Sequence, residues 1–253
     1  VDKKWISKTL LVTVVLILSA CSAEKSTSLL EVTKMDDEKK QNVSKQIAND
    51  QGYELITETY SKENVKLEYP QIINFNDERK RQEINELIKK EALTPFQETI
   101  QNLEQDQKYK AEGKYEIKLK NNQILSIAYN SYNNISPSAH PYNLFFTTNI
   151  DLTTGKQLFL SDFVSKIDKD FIRLLKNAKY VGDLGDDFDP QIKELAFGQY
   201  SSDEDLILAL TNNKENGIYV YVIENALGIS MPVAHVAGDH AEFEINLNLL
   251  NKK

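Results

Sequence analysis

The chain has one cysteine, three histidines and no glycine-rich phosphate loop in 253 residues, and each scarcity removes a class of chemistry. The lone Cys21 excludes a disulfide framework, a four-thiolate zinc site and an iron–sulfur cluster. With no Gly-x-Gly-x-x-Gly or Walker-type run, nucleotide binding has no support. Basic residues are outnumbered 30 to 38. The first twenty residues are themselves at +2, so from Cys21 onward 27 basic side chains face 37 acidic ones, a formal −10. Such a surface repels nucleic acid and anionic headgroups and attracts a cationic partner at low salt. At 41% apolar and 9% aromatic, the chain is too hydrophobic to stay disordered and long enough for one sizeable core or two small ones.

Where the cysteine sits is informative. Lys3, Lys4 and Lys8 precede an apolar run, Leu10 to Leu18, that is short of the ~20 residues a membrane helix needs and reads as a signal peptide. The run ends in Leu18-Ser19-Ala20-Cys21, which resembles the lipobox of bacterial lipoproteins. That resemblance implies cleavage before Cys21 and lipidation of its thiol, with each buried methylene contributing about 0.8 kcal/mol to membrane attachment. The expected location is extracytoplasmic, anchored to the membrane through Cys21. Residues 21–50 are polar, poor in aromatics and without an apolar period, as expected of a flexible tether.

From Tyr53 the pattern alternates, giving two strands up to Pro70. Ile84, Leu87, Ile88 and Ala92 then share one helical face, and Thr94-Pro95-Phe96-Gln97 reads as the cap of a second helix or a kinked continuation. Strands at Tyr115–Leu119 and Ile124–Tyr129 flank the turn signal Asn121-Asn122, and a third runs from Leu144 to Leu152 into Thr153-Thr154-Gly155-Lys156. Phe171, Leu174, Leu175 and Ala178 are spaced for a helix, and Asp189 for the cap of another. Leu206–Leu210, Ile218–Ile223, Ile229–Val236 and Ala241–Leu247 read as antiparallel strands. The expectation is an α+β protein of antiparallel sheets packed with amphipathic helices, in two subdomains, 51–160 and 161–253.

Candidate chemistry passes through His140, His235 and His240. His235 and His240, with Asp239 and Glu242 nearby, offer zinc-type ligands, but Gly238 and the alternation around it place them on a strand–turn–strand where the rings need not converge. Ser136, Ser138 and His140 lack a Gly-x-Ser-x-Gly elbow. The loop Asp183–Asp189 departs from the calcium-binding spacing. No enzyme, metal or cofactor is therefore expected. The stretch Tyr129–Tyr142, rich in Tyr, Asn, Ser and Pro, reads as a loop that suits binding to proteins or sugars at low ordering cost, or serves to cover a sheet edge.

Ser138-Ala139-His140-Pro141-Tyr142, Phe145–Lys156 and Leu160-Ser161-Asp162-Phe163 together resemble the extracellular domain pair of the RsiV-type anti-sigma factors. The best-known member of that family binds lysozyme, and the same pair precedes the catalytic domain of some peptidoglycan deacetylases. Tyr69–Ile72, Leu210–Asn213 and Gly238–Ile245 extend the resemblance to about residues 53–250. Only nine residues precede the apolar run and Asn251-Lys252-Lys253 follow the last family-like strand, so neither a sigma-binding segment nor a deacetylase domain is expected. The resemblance implies a lipid-anchored binding module whose partner is a cationic lysozyme-like muramidase or peptidoglycan. Its candidate contacts are Ser136, Ser138, His140 and Tyr142 in one loop and Pro232, His235 and His240 in another. A wall-modifying enzyme or an accessory subunit of an envelope-stress sensor is the alternative.

Overall fold

The computed structural model describes residues 52–137, 140–182 and 184–250. Cys21, the apolar run before it, the tether and Ser138 lie outside the described residues. The order is β1 (Glu54–Lys62), β2 (Val65–Ile73), α1 (Glu78–Gln101), β3 (Lys108–Lys120), β4 (Ile124–Ser136), β5 (Tyr142–Asp151) and β6 (Lys156–Leu158). It continues with α2 (Leu160–Phe163), α3 (Lys169–Lys176), β7 (Lys179–Tyr180), α4 (Asp189–Phe197), α5 (Asp203–Thr211), β8 (Tyr219–Val222), β9 (Ala226–Pro232), β10 (His240–Asn246) and α6 (Leu247–Leu250). The fold is α+β. Strands β1 to β6 form one sheet in chain order, and a second sheet runs β7-β10-β9-β8.

All pairings are antiparallel except β2 with β3, which run parallel. The exception follows from α1: a 24-residue helix rises about 36 Å, enough to carry the chain back along a nine-residue strand of about 30 Å. Asp77 caps α1 by accepting from the Lys80 amide at 3.0 Å. Ile84, Ile88, Ala92, Leu93 and Phe96 of this helix are buried on the first sheet. The helix passes through Pro95 without a break. Thr94 is no cap, because its hydroxyl donates to the Lys90 carbonyl, four residues back in the same helix.

Two apolar cores lie on the outer faces of the paired sheets. One joins α1 to the first sheet through Leu67, Ile127, Tyr129, Phe146 and Ile150; the other joins α2 to α5 to the second sheet through Val220, Ile229, Met231, Phe243 and Ile245. Between the sheets lies a small cluster of Ala128, Phe145 and Tyr221, flanked by a buried polar seam. There, Thr147 donates to the Val220 carbonyl at 2.5 Å and the Asn149 amide donates to the same oxygen at 2.8 Å. Ser126 donates to Asn149 at 2.7 Å and accepts from the Val222 amide at 3.0 Å. Every group in this seam thus has a partner across or along it, the condition under which polar groups sit in an interior without large cost.

Three further expectations are corrected. Residues Leu206–Leu210 are helical, not a strand: they belong to α5, capped by the Ser202 hydroxyl on the Asp205 amide at 3.1 Å, with three acids in its first turn. Asp189 is the first residue of α4 rather than its cap; its carboxylate accepts from the Tyr180 amide and pairs with Lys193 at 2.8 Å. The stretch expected to be a loop from Tyr129 is strand as far as Ser136 and resumes as β5 at Tyr142, since its partners on β3 and β5 pair it throughout.

Candidate functional site

Residues of both sheets line a cleft of about 780 Å³. Strand alternation supplies its walls. On β10, Ala241, Phe243 and Ile245 point into the second core, so His240, Glu242 and Glu244 point into the cleft. On β4, Ile127 and Tyr129 face α1, leaving Asn130 and Tyr132 on the cleft side. Strand β3 contributes through a bulge between Ile117 and Leu119. Ile117 packs on the first core and Leu119 on the second, and Lys118, between them, lines the cleft.

Lys118 is the centre of the charge arrangement. Its side chain is only 15% exposed, and its ammonium lies 2.9 Å from Glu116 Oε2 and 3.6 Å from Glu242 Oε2. It also sits 4.7 Å from the centroid of the Tyr221 ring, a cation–π contact. Burial by itself would push the Glu242 carboxyl up, but the nearby His240 imidazole, the Lys118 charge and the Tyr221 hydroxyl outweigh it and hold the group below the usual carboxylate range. Burial, reinforced by the Glu242 and Glu244 charges, pushes the Tyr221 hydroxyl far up, so it stays protonated and donates to Glu244 at 3.1 Å. The Tyr221 ring lies flat across β9 because residue 228 is glycine: a Cβ there would fall 2.1 Å from the ring.

The structure brings together the two loops that carry the candidate contacts. His140 and His235 are stacked with ring centroids 6.3 Å apart, and His235 Nδ1 lies 2.9 Å from Asp239 Oδ1. Asp239, held at φ +74° after Gly238, also accepts from the Asn143 amide at 2.7 Å, which ties the β9–β10 turn to the start of β5. Val236, at the tip of that turn, is 92% exposed. His240 opens β10 and stacks on Phe145 at 4.7 Å, with its Nε2 3.6 Å from Glu242. Among the described residues its buried Nδ1 has no hydrogen-bond partner. His235 and His240 line the cleft; His140 stands beside it.

The other candidates are peripheral. Ser136 ends β4 and is exposed, Tyr142 begins β5 opposite Asn133, and the Pro232 carbonyl accepts from Gln199 at 2.9 Å. No serine stands in hydrogen-bonding contact with a histidine among the described residues, and none of their His, Cys, Asp and Glu groups is arranged to hold a metal ion. No helix among them is long and apolar enough to cross a membrane. Residue patterns placed Asn130 in the Tyr129–Tyr142 stretch but did not point to Glu116, Lys118, Asn143, Tyr221 or Glu244. The usable signal was the polar half of each alternating strand, which reads as a solvent face until a second sheet is known to lie across it.

No protein-family model matches the sequence, and no curated protein matches it. Among solved structures, its neighbours include two DUF3298 family proteins. A member from Bacteroides fragilis is 12% identical, with a TM-score of 0.43 over 78% of this chain and 90% of that one. A second, from Pseudomonas aeruginosa PAO1, is 14% identical, with a TM-score of 0.40 over 80% of this chain and 94% of that one.

Proposed function

We propose that this chain is a binding module of the bacterial envelope, held outside the cytoplasm by a lipid on Cys21, and that it captures its ligand in the cleft between the sheets. The observation that carries the reading is the cleft itself: about 780 Å³, within the range of ligand sites, walled by aromatic, amide and charged side chains from both sheets. The lipobox-like Leu18–Cys21 supports the location, and the RsiV-type signature of residues 138–163 supports an envelope role. In this reading the module binds its ligand and does not transform it. The ligand is cell-wall glycan or a cationic, lysozyme-like protein, the latter favoured by the formal −10 that follows Cys21.

Expressed in a bacterium, the full chain should incorporate labelled palmitate, and Cys21→Ala should not. Solubilised in mild detergent, the labelled chain should be retained on purified cell wall or on immobilised lysozyme. Unlabelled product inside the cytoplasm, or retention on neither surface, would overturn the proposal.

A further inference from the structure

Three polar side chains of the cleft stand unused by the fold. Asn130 and Tyr132 lie two residues apart on the same face of β4, and Asn143 of β5 is paired directly with Tyr132. No hydrogen bond or ion pair engages the side chains of Asn130, Asn143 or Tyr132 among the described residues. Tyr132 is 53% exposed, although its neighbours Ser131 and Asn133 on the opposite face are buried. An exposed aromatic ring flanked by free carboxamides is the surface that a pyranose fits. The ring accepts the apolar C–H face of the sugar, and each amide offers a donor and an acceptor side by side, matching adjacent hydroxyls.

Charge narrows the class. Glu116, Glu242 and Glu244 line the cleft against Lys118 alone, an excess of two carboxylates among the lining side chains. Lys118 is engaged by Glu116 and Glu242, whereas Glu244 accepts the neutral Tyr221 hydroxyl. An acidic sugar would be repelled here, and a neutral one would offer the third carboxylate hydroxyl donors without a charge to balance it. An ammonium would find a partner.

Building on the binding-module reading, we propose that the cleft takes a saccharide bearing free amino groups. Its ring lies on Tyr132, Asn130 and Asn143 bind its hydroxyls, and its ammonium faces the carboxylates of β10.

The test is calorimetric titration of the full chain in detergent with three probes: a glucosamine trimer, its N-acetylated counterpart, and a glucose trimer. The glucosamine trimer should bind about fivefold more tightly than either of the others at low salt, the size expected of one partly exposed ion pair. That advantage should vanish as salt approaches about 1 M. Tyr132→Ala should weaken binding about tenfold, the loss of one ring's stacking and buried area, while Tyr132→Phe leaves it unchanged. Asn143→Ala serves as a second, independent lesion, and unchanged melting temperatures show that these exposed substitutions leave the fold intact. Equal affinity for the three trimers, or saturable binding indifferent to Tyr132 and Asn143, overturns the assignment. Absence of trimer binding by a chain that is still retained on cell wall or lysozyme overturns the saccharide and leaves the binding module standing. Loss of retention on both surfaces as well overturns the module too.

Discussion

Replacing Gly228 by alanine tests the geometry on which the cleft floor depends. A Cβ at this position would stand 2.1 Å, 2.3 Å and 2.4 Å from three carbons of the Tyr221 ring, closer than any real side chain tolerates. The ring has nowhere to go. Tyr221 is fully buried, Phe145 meets it edge-on at 6.2 Å, Lys118 covers it, and its hydroxyl is held by Glu244. Overpacking of this kind costs about 1–3 kcal/mol, and a ring confined on every side puts Gly228→Ala near the upper end. For a chain of this length, about 3 kcal/mol corresponds to a fall in Tm of roughly 6–12 °C. Urea denaturation of a double-mutant cycle with Tyr221→Ala isolates the cause. Removing the ring should itself cost about 3–5 kcal/mol, but in that background Gly228→Ala should cost under about 1 kcal/mol, a coupling of at least about 2 kcal/mol. Equal costs in both backgrounds would refute the proposed collision.

Three other outcomes are expected. Asn149→Ala removes the amide bonded to the Val220 carbonyl and the acceptor of the Ser126 hydroxyl; leaving buried groups short of partners should lower stability by about 2–4 kcal/mol, read by chemical denaturation. Ser202→Ala strips the cap of α5 and should cost about 1 kcal/mol, a Tm lower by about 2–4 °C. Because Glu242 is held below its unfolded value, its ionised form stabilises the fold fully above the ordinary glutamate pKa, and that contribution is lost as pH falls through the folded value. The stability gap between the native chain and Glu242→Gln should therefore be constant near neutrality and shrink below about pH 4, and a gap that widens in acid would contradict the assignment.

Local chemistry made much of the fold legible. The hairpin at Asn121-Asn122 forms because the Asn121 carboxamide oxygen accepts from the amides of Gln123 and Ile124, at 2.8 Å and 2.7 Å. The turn at Thr153–Lys156 closes on Asp151, whose carboxylate accepts from the Thr153 amide, with Gly155 at φ +73°. Leu206–Leu210 misled because a five-residue apolar run has no period; the readable signal was the cap Ser202 and the acids at 203–205 that follow it. The parallel β2–β3 pairing depends on the length of α1, which is one helix only because Pro95 is tolerated inside it.

The site was legible where residues are scarce and hidden where they are common. His140, His235 and His240 drew attention as the only imidazoles in the chain, and they do gather at one edge of the cleft. Glu116 and Lys118 sit in a run of alternating lysines and glutamates along β3, which matches any solvated strand. Their role emerges only from the bulge after Ile117 and the sheet that packs opposite, neither of which alternation encodes.

The seam of Ser126, Thr147 and Asn149 also governs how far the jaws of the cleft stand open. Greasy interfaces slide, since any offset buries similar area; a joint of directional bonds is keyed, because a one-residue slip along β8 would strip several donors of acceptors at once. The aperture is thus set by a lock at its apex, and a ligand meets a mouth of fixed gauge whose lip is the short turn carrying Val236.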